Sequence, residues 1–424
     1  MITLNEILVT DNGKRIDYAF TAISDASKFV NEDEKFYIEY LENIASVPKS
    51  ILAIPFISNW LPVAWFAGFD IVVDEIDSKF YDSMMALRDE FAKQFPDYDL
   101  KGSLKANTLV ENECIGEKSA MLFSGGVDAY ATYIRVRDKK PDLVTILGAD
   151  IEIGDIEQWE RFKTFMESEE LLSKNEKQYI TTNVRNFYTY HVELLLKDIG
   201  WWGKVQHGLS LIGSLAPLSF IKGYKSVYIA SSYTKEIQIA WGSTPKTDET
   251  IRWCGTQVFH DGYELKRQDK VDLIATFAKT NKVPFRLRVC YSELRTDFNC
   301  SNCEKCFRTI LGILLNNEDP NSYGFVVDET IYDKIFAIIS QGGASRGMQY
   351  FWLELKNKAN ETDTFFVFKD KALESAKLDR IRNGELNSII EAKLKDKTGI
   401  MDKVRFIARN RFPWLRTIYR KIRY

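Results

Sequence analysis

The sequence predicts an α/β protein built on a doubly wound parallel sheet, and three observations carry that expectation. Nearly continuous apolar runs such as Leu143-Val144-Thr145-Ile146-Leu147 alternate with helix-length segments from Ser119 onward. That is the rhythm of strands buried on both faces and separated by crossover helices. One such run, Ala120 to Phe123, breaks into Ser124-Gly125-Gly126 and passes straight into a helical segment from about Val127 to Arg137. The predicted strand ends also collect polar groups (Ser124 to Asp128, Asp150, Ser231 to Glu236, His260) along the edge where ligands bind in such sheets.

The chain has 424 residues, long enough for two to three domains. Its 45% apolar and 13% aromatic content supplies packed cores and excludes a disordered protein. A net charge of −3 names no polyanionic partner for the body of the chain. The first residues lack the basic and apolar regions of a signal peptide. No apolar run approaches the roughly 18 residues of a membrane span. Six cysteines, four of them in one short window, suit a metal site in a reducing cytoplasm better than a disulfide framework. A cytoplasmic protein is expected.

Residues 1–115 read as an accessory α+β domain. Phe36 to Tyr40 and Asp70 to Val73 have strand character, and Ile51 to Phe56 is a buried apolar segment. Lys79 to Phe95 places Phe80, Met84, Leu87, Phe91 and Phe95 at helical spacing. The polar stretch Asp97 to Glu117 reads as a linker. No chemistry attaches to this unit, so recognition or oligomerisation is its expected role.

Residues 116–316 form the second domain. After the loop strand and its helix come the strand Leu143 to Asp150, a helix Ile156 to Lys174 and a weaker strand Gln178 to Thr182. A small-residue helix follows, His207 to Ile221, then strands Ser226 to Ala230 and Gln257 to His260 and a helix Lys270 to Thr280. The loop itself is suited to an anion. A helix N-terminus presents unpaired N–H groups and partial positive charge, and glycine lets backbone approach a phosphate closely. Ser124 adds a hydroxyl, and Asp128 a carboxylate that holds magnesium or orients the loop. An ordinary glycine turn is the alternative.

Cys290, Cys300, Cys303 and Cys306 give the spacing C-x9-C-x2-C-x2-C. Two overlapping CxxC turns with a fourth thiolate match a closed tetrahedral zinc site, structural rather than catalytic. An iron–sulfur cluster and unrelated reduced thiols stay open as alternatives. Cys114 and Cys254 lie outside the quartet and read as ordinary packed or surface thiols.

Ser-Gly-Gly-x-Asp after a strand resembles the pyrophosphate-binding loop of the PP-loop ATP pyrophosphatases, an adenine nucleotide alpha hydrolase-like fold. With the cysteine quartet about 160 residues later, the order is similar to 7-cyano-7-deazaguanine synthases and their specialised relatives. That resemblance, over roughly Ser119 to Leu315, implies an ATP-dependent ligase or amidating synthetase. Such an enzyme adenylates a carboxylate, releases pyrophosphate and passes the acyl group to ammonia or another amine. It implies ATP, Mg2+ and Zn2+ as cofactors, and nucleotide contacts from Phe123, Ser124, Gly125, Gly126, Val127, Asp128 and Asp150. Ser124 and Asp128 are the implied catalytic pair, and Cys290, Cys300, Cys303 and Cys306 the metal ligands.

The match has departures. Ala129 stands where that family has Ser or Thr. Lys266-Arg267-Gln268-Asp269-Lys270 offers Arg267 or Lys270 for the phosphate-side lysine, and Trp241 to Pro245 with Asp248 differ from the base-recognition residues. His260 is a candidate general acid–base, with a structural histidine as the alternative.

Residues 317–424 read as helical, with Tyr332 to Ile339, Met348 to Lys358 and Lys371 to Ile390 as helices. Gln341 to Gly347 is a Gly-rich loop without a preceding strand. The last 24 residues hold eight Lys or Arg against Asp402 alone, interleaved with aromatics. This basic amphipathic tail suits nucleic-acid phosphates, an anionic membrane surface or the acidic body of the chain. The competing functional expectations are a non-catalytic ATP-binding adaptor and a nucleic-acid-binding protein. Partners are therefore a small carboxylate with an amine, a protein or nucleic acid through the N-terminal domain or tail, and a second copy of the chain.

Overall fold

The computed structural model describes residues 1–284, 286–290, 298–341 and 346–394, with 403, 404, 406, 407 and 410. Most of the basic tail, and 342–345 of the Gly-rich loop, lie outside the described residues. The strands are β1 (Ile2–Thr10), β2 (Arg15–Ala22), β3 (Tyr37–Tyr40), β4 (Ile71–Asp77), β5 (Leu104–Val110) and β6 (Lys118–Leu122). They continue as β7 (Asp142–Leu147), β8 (Lys177–Thr182), β9 (Tyr224–Ala230), β10 (Arg252–Trp253) and β11 (Thr256–Asp261). The helices are α1 (Lys49–Leu52), α2 (Ile54–Ala67), α3 (Ser78–Gln94), α4 (Val127–Val136), α5 (Ile156–Ser168), α6 (His207–Gly213) and α7 (Ala216–Lys222). After these come α8 (Pro245–Asp248), α9 (Arg267–Asn281), α10 (Glu304–Leu314), α11 (Ile331–Ser340), α12 (Arg346–Glu361), α13 (Lys371–Arg382) and α14 (Glu385–Leu394).

All eleven strands join one sheet in the order β10-β11-β9-β6-β7-β8-β3-β2-β1-β4-β5. Its centre, β11-β9-β6-β7-β8, is parallel throughout. β7 is buried along its whole length, as a strand covered on both faces must be. The chain runs outward from β6 to β7 and β8, then returns to the other flank of β6 for β9 and β11. Strand order therefore reverses between β6 and β9, and the crevice beyond their carboxyl ends is where an open α/β sheet binds ligands.

Period-two alternation divides the core into two layers. Ala120, Val144, Ile146, Val227 and Ile229 pack with α2, α3, α6 and α7, whereas Met121, Leu143, Leu147 and Tyr228 pack with α4, α5, α9 and α10. The same two clusters extend to the ends of the chain. Residues 1–115 contribute Trp60, Trp65, Phe80 and Phe91 to the first, and α11 to α14 contribute Ile335, Trp352 and Leu378 to the second. β3 pairs antiparallel with β8, with Ile38 opposite Thr182, so the N-terminal strands extend the central sheet.

Several expected elements shift. The stretch expected as a linker contains β5, whose polar sequence fits an edge strand with one neighbour, β4. The small-residue helix is two helices, α6 and α7, and the long C-terminal helix breaks at Gly384, where φ is +81°. β1 and β2 were not expected at all.

Cys114 and Cys254 are not separate thiols but form a disulfide with Cα atoms 5.4 Å apart. It ties the β5–β6 connection to the β10–β11 hairpin, beside a backbone bond from Cys114 N–H to Cys254 O at 2.9 Å. A separation of 140 residues left no local signal for it. Closing so long a loop stabilises a fold by about 2–4 kcal/mol, and thiol reductants remove such bonds in the cytosol. Thiol titration of metal-free, denatured, non-reduced protein is expected to count four thiols rather than six. Cys114→Ser/Cys254→Ser should lower the urea midpoint; six thiols and an unchanged midpoint would show that the pair is not bonded.

Candidate active site and metal centre

The Ser-Gly-Gly loop leaves the carboxyl end of β6 at the point where strand order reverses. Gly125 adopts φ +74°, and a Cβ there would stand 3.1 Å from the Phe165 ring, so the turn needs glycine. Gly126 is the N-cap of α4 without a side-chain capping bond, leaving the first-turn N–H groups for an outside acceptor. The loop is held from behind. Thr145 Oγ1 donates to Phe123 O at 2.6 Å, and Arg288 N–H donates to Gly125 O at 2.8 Å.

The two cations proposed from α9 both reach the loop. Arg267 pairs with Asp128 through Nη1, and Lys270 Nζ lies 3.1 Å from the other carboxylate oxygen. Lys270 also donates to Ser231 O at the end of β9. Burial alone would raise the Asp128 carboxyl. The Arg267 and Lys270 charges outweigh it and hold the group well below the usual carboxylate range. Asp128 is thus committed to two cations, which fits an orienting role better than that of an uncommitted magnesium ligand.

Three further basic side chains converge here that sequence reasoning missed. Arg288 places Nη1 3.4 Å from Ser124 O, with its guanidinium over the Phe162 ring. Lys305 and Arg308 come from α10. Burial, reinforced by Arg267 and Arg308, pushes the half-buried Lys305 amine down to about 7, while Asp150 and Asp128 oppose the shift. Burial likewise lowers Arg308, which lies 4.2 Å over Phe351. A signal did exist. Lys305 and Arg308 are three apart on the helix that the cysteine quartet begins, and so share a face.

A cleft of about 780 Å3, counting its open mouth, runs from the loop across the ends of β6, β7 and β9. Phe123, Ser124, Asp128 and Asp150 line it with Val144, Ile146, Ile229 and His207. Val127 is wholly buried in the core, so its side chain takes no part there and only its backbone faces the loop. Asp150 is exposed in the turn after Gly148, where φ is +100° and a Cβ would meet Thr182 O at 1.7 Å.

His260 does not join the cleft lining. Its Nδ1 lies 2.7 Å from Asp248 Oδ2, both side chains are fully buried, and Ser243 Oγ donates to the same oxygen at 2.6 Å. The pair fastens the Trp241 to Asp248 loop to β11, the structural alternative for this histidine.

The cysteine quartet sits beside α10, with Cys303 as its N-cap. All four sulfurs lie within 4.8 Å of one another, with the closest pairs at 3.5 and 3.9 Å. Sulfurs about 2.3 Å from one tetrahedral zinc would be about 3.8 Å apart, so the group could hold a single metal ion such as zinc. The spacing is too tight to enclose a multi-iron cluster. Asn299 supports the knuckle, accepting from Val289 and Cys290 N–H and donating to Leu287 O and Gly324 O.

Fold and site define an α/β protein with a large, mostly parallel sheet, a polar cleft at its strand-order reversal and a four-cysteine group suited to a metal. No helix among the described residues is long and apolar enough to cross a membrane. No protein-family model, curated protein or solved structure matches the chain.

Proposed function

We propose that the chain is an ATP-dependent carbon–nitrogen ligase of the PP-loop type, joining an amine to a small carboxylate through an acyl-adenylate. The observation that carries this reading is the coincidence of the Ser124 to Asp128 loop with the strand-order reversal and a ring of cations. Loop N–H groups with Arg267, Lys270 and Arg288 suit a polyphosphate, and the apolar wall of Val144, Ile146 and Ile229 suits a planar base.

The acid's oxygen attacks the α-phosphorus, and the bond to the bridging oxygen breaks. Charge grows on the departing pyrophosphate, where fixed N–H donors and cations stabilise it more than in the ground state. An amine then attacks the acyl carbon and AMP leaves. Magnesium, as the usual companion of ATP, supplies phosphate charge neutralisation. Asp150 is the exposed carboxylate of the cleft that could face it. Cys290, Cys300, Cys303 and Cys306 would hold zinc, which when bound would fix the start of α10 and with it Lys305 and Arg308.

Incubation with ATP, magnesium, ammonium and a panel of small carboxylates should release pyrophosphate with at least one acid. Asp128→Ala should lower that rate by about 100-fold, because Arg267 and Lys270, the cations that would stabilise the departing pyrophosphate, lose the carboxylate that orients them. Calorimetric ATP binding without pyrophosphate release from any acid would support the non-catalytic adaptor instead.

A further inference from the structure

The cleft holds a histidine that neither the loop nor the metal centre accounts for. His207 lines the same cavity as Ser124, Asp128 and Asp150. Its Nδ1 is buried with no hydrogen-bond partner among the described residues. A buried polar atom in that state costs stability unless something else satisfies it.

The ring is held in place by unusual local structure. A π-helical turn, Trp202–Gln206, leads into α6 and places the Trp202 indole 5.7 Å from the imidazole, nearly perpendicular to it. Single π-turns are frequent at functional sites. Trp241 lies 6.0 Å away on another side, seated over Gly203, where a Cβ would stand 2.6 Å from its ring. Gly208 admits Asp248 in the same manner, so the Asp248–His260 pair fixes the loop that carries Trp241.

We propose that His207 is the general base for the amine, taking a proton from the nucleophile as it attacks the acyl-adenylate. This rests on the ligase reading. The carbon–nitrogen bond forms, the bond between the acyl carbon and the AMP oxygen breaks, and one N–H proton passes to Nδ1. The imidazolium then returns that proton to solvent. Asp150, Asp248, Arg185 and His260 are the titratable and charged groups around the ring. Burial, the largest influence, lowers the His207 pKa against the opposing pull of Asp150 and Asp248, which keeps the imidazole neutral at pH 7. A neutral imidazole accepts a proton, and general-base assistance of this kind contributes about 100-fold or more.

The test has two arms on the full-length, zinc-loaded chain. The chain has only three histidines, so nitrogen NMR of labelled histidine resolves them, with His191→Gln and His260→Gln assigning His207 by elimination. His207 is expected to be neutral at pH 7 and to shift when AMP is added. A charged ring at pH 7, or one that AMP leaves unmoved, overturns the proposal without bearing on the ligase reading. In the second arm, with an acid that supports pyrophosphate exchange, His207→Gln should lower transfer to ammonium about 100-fold and exchange by less than tenfold. Hydroxylamine, already unprotonated at neutral pH, should recover most of the lost transfer. Equal losses in both half-reactions would reassign His207 to substrate positioning. Failure of the wild type to exchange with every acid would sink the ligase reading and the base role together.

Discussion

Removal of zinc from the cysteine quartet is expected to melt the region around α10 and abolish nucleotide binding in the same step. Cys290 and Cys306 are buried, and Cys306 belongs to the same apolar cluster as Phe307, Ile310 and Trp352. Without the metal, four thiols crowd within 4.8 Å, with only weak sulfur hydrogen bonds to hold them. Structural zinc sites contribute about 10–16 kcal/mol of apparent binding free energy in isolated fingers, so its loss is large against the total stability of a domain. The effect should reach the cleft because the same segment carries the loop's supports. Arg288 lies two residues before Cys290 and donates its N–H to Gly125 O, and Lys305 and Arg308 sit on the helix the quartet caps. Metal analysis should find one zinc per chain. A strong chelator, or Cys306→Ser, should lower the thermal midpoint by ten degrees or so, on the order expected for a loss of several kcal/mol in a chain this long, and erase ATP binding in calorimetry. Protein that carries no metal as purified, with a midpoint unchanged by Cys306→Ser, would count against the site.

What the sequence showed of this architecture follows from the range of each signal. β7 was legible because burial on both faces leaves a continuous apolar run, whereas β8 and β11 alternate buried and part-exposed residues and stood out only by their place in the strand–helix rhythm; all five parallel strands lie within a few residues of their expected positions. The loop and the quartet were legible because their chemistry is contiguous. Other features depend on contacts that no local pattern encodes. β1 and β2 mix polar and apolar residues because parts of both are solvent-facing, as the exposed Leu8 on β1 shows. The Cys114–Cys254 bond and the β3–β8 pairing each join segments about 140 residues apart. Arg288 and Lys305 carry no local signal of which groups they meet, because each meets the loop or its acids only through tertiary packing of segments more than 140 residues away. His207 was visible as a helix start beside the site, but not its unpartnered Nδ1, which only packing reveals.

Replacing Asp128 is expected to destabilise the fold and to separate two roles for its carboxylate. Lys270 is 3% exposed and Arg267 10%, so Asp128→Ala leaves two nearly buried cations facing each other. Removing one partner of a buried pair costs about 3–5 kcal/mol, and the 24% exposure of Asp128 puts the expected value at the lower end. The pH dependence has a definite sign. The folded-state pKa of Asp128 is depressed below the roughly 3.9 of an unfolded aspartate. Its contribution is therefore fully present above about pH 4 and is lost only as pH falls toward the lower folded value. Urea midpoints of wild type and Asp128→Asn should differ by a constant amount from pH 5 to 8 and converge in acid. A difference that grew between pH 5 and 8 would mean that another group controls the loop. Nucleotide binding then discriminates the roles. If Asp128 orients Arg267 and Lys270, Asp128→Asn frees positive charge beside the phosphates, so affinity for pyrophosphate rises while turnover falls. If Asp128 instead held magnesium, the same substitution would weaken pyrophosphate binding and raise the magnesium concentration needed for half-saturation. The geometry, with both carboxylate oxygens already on cations, favours the first outcome.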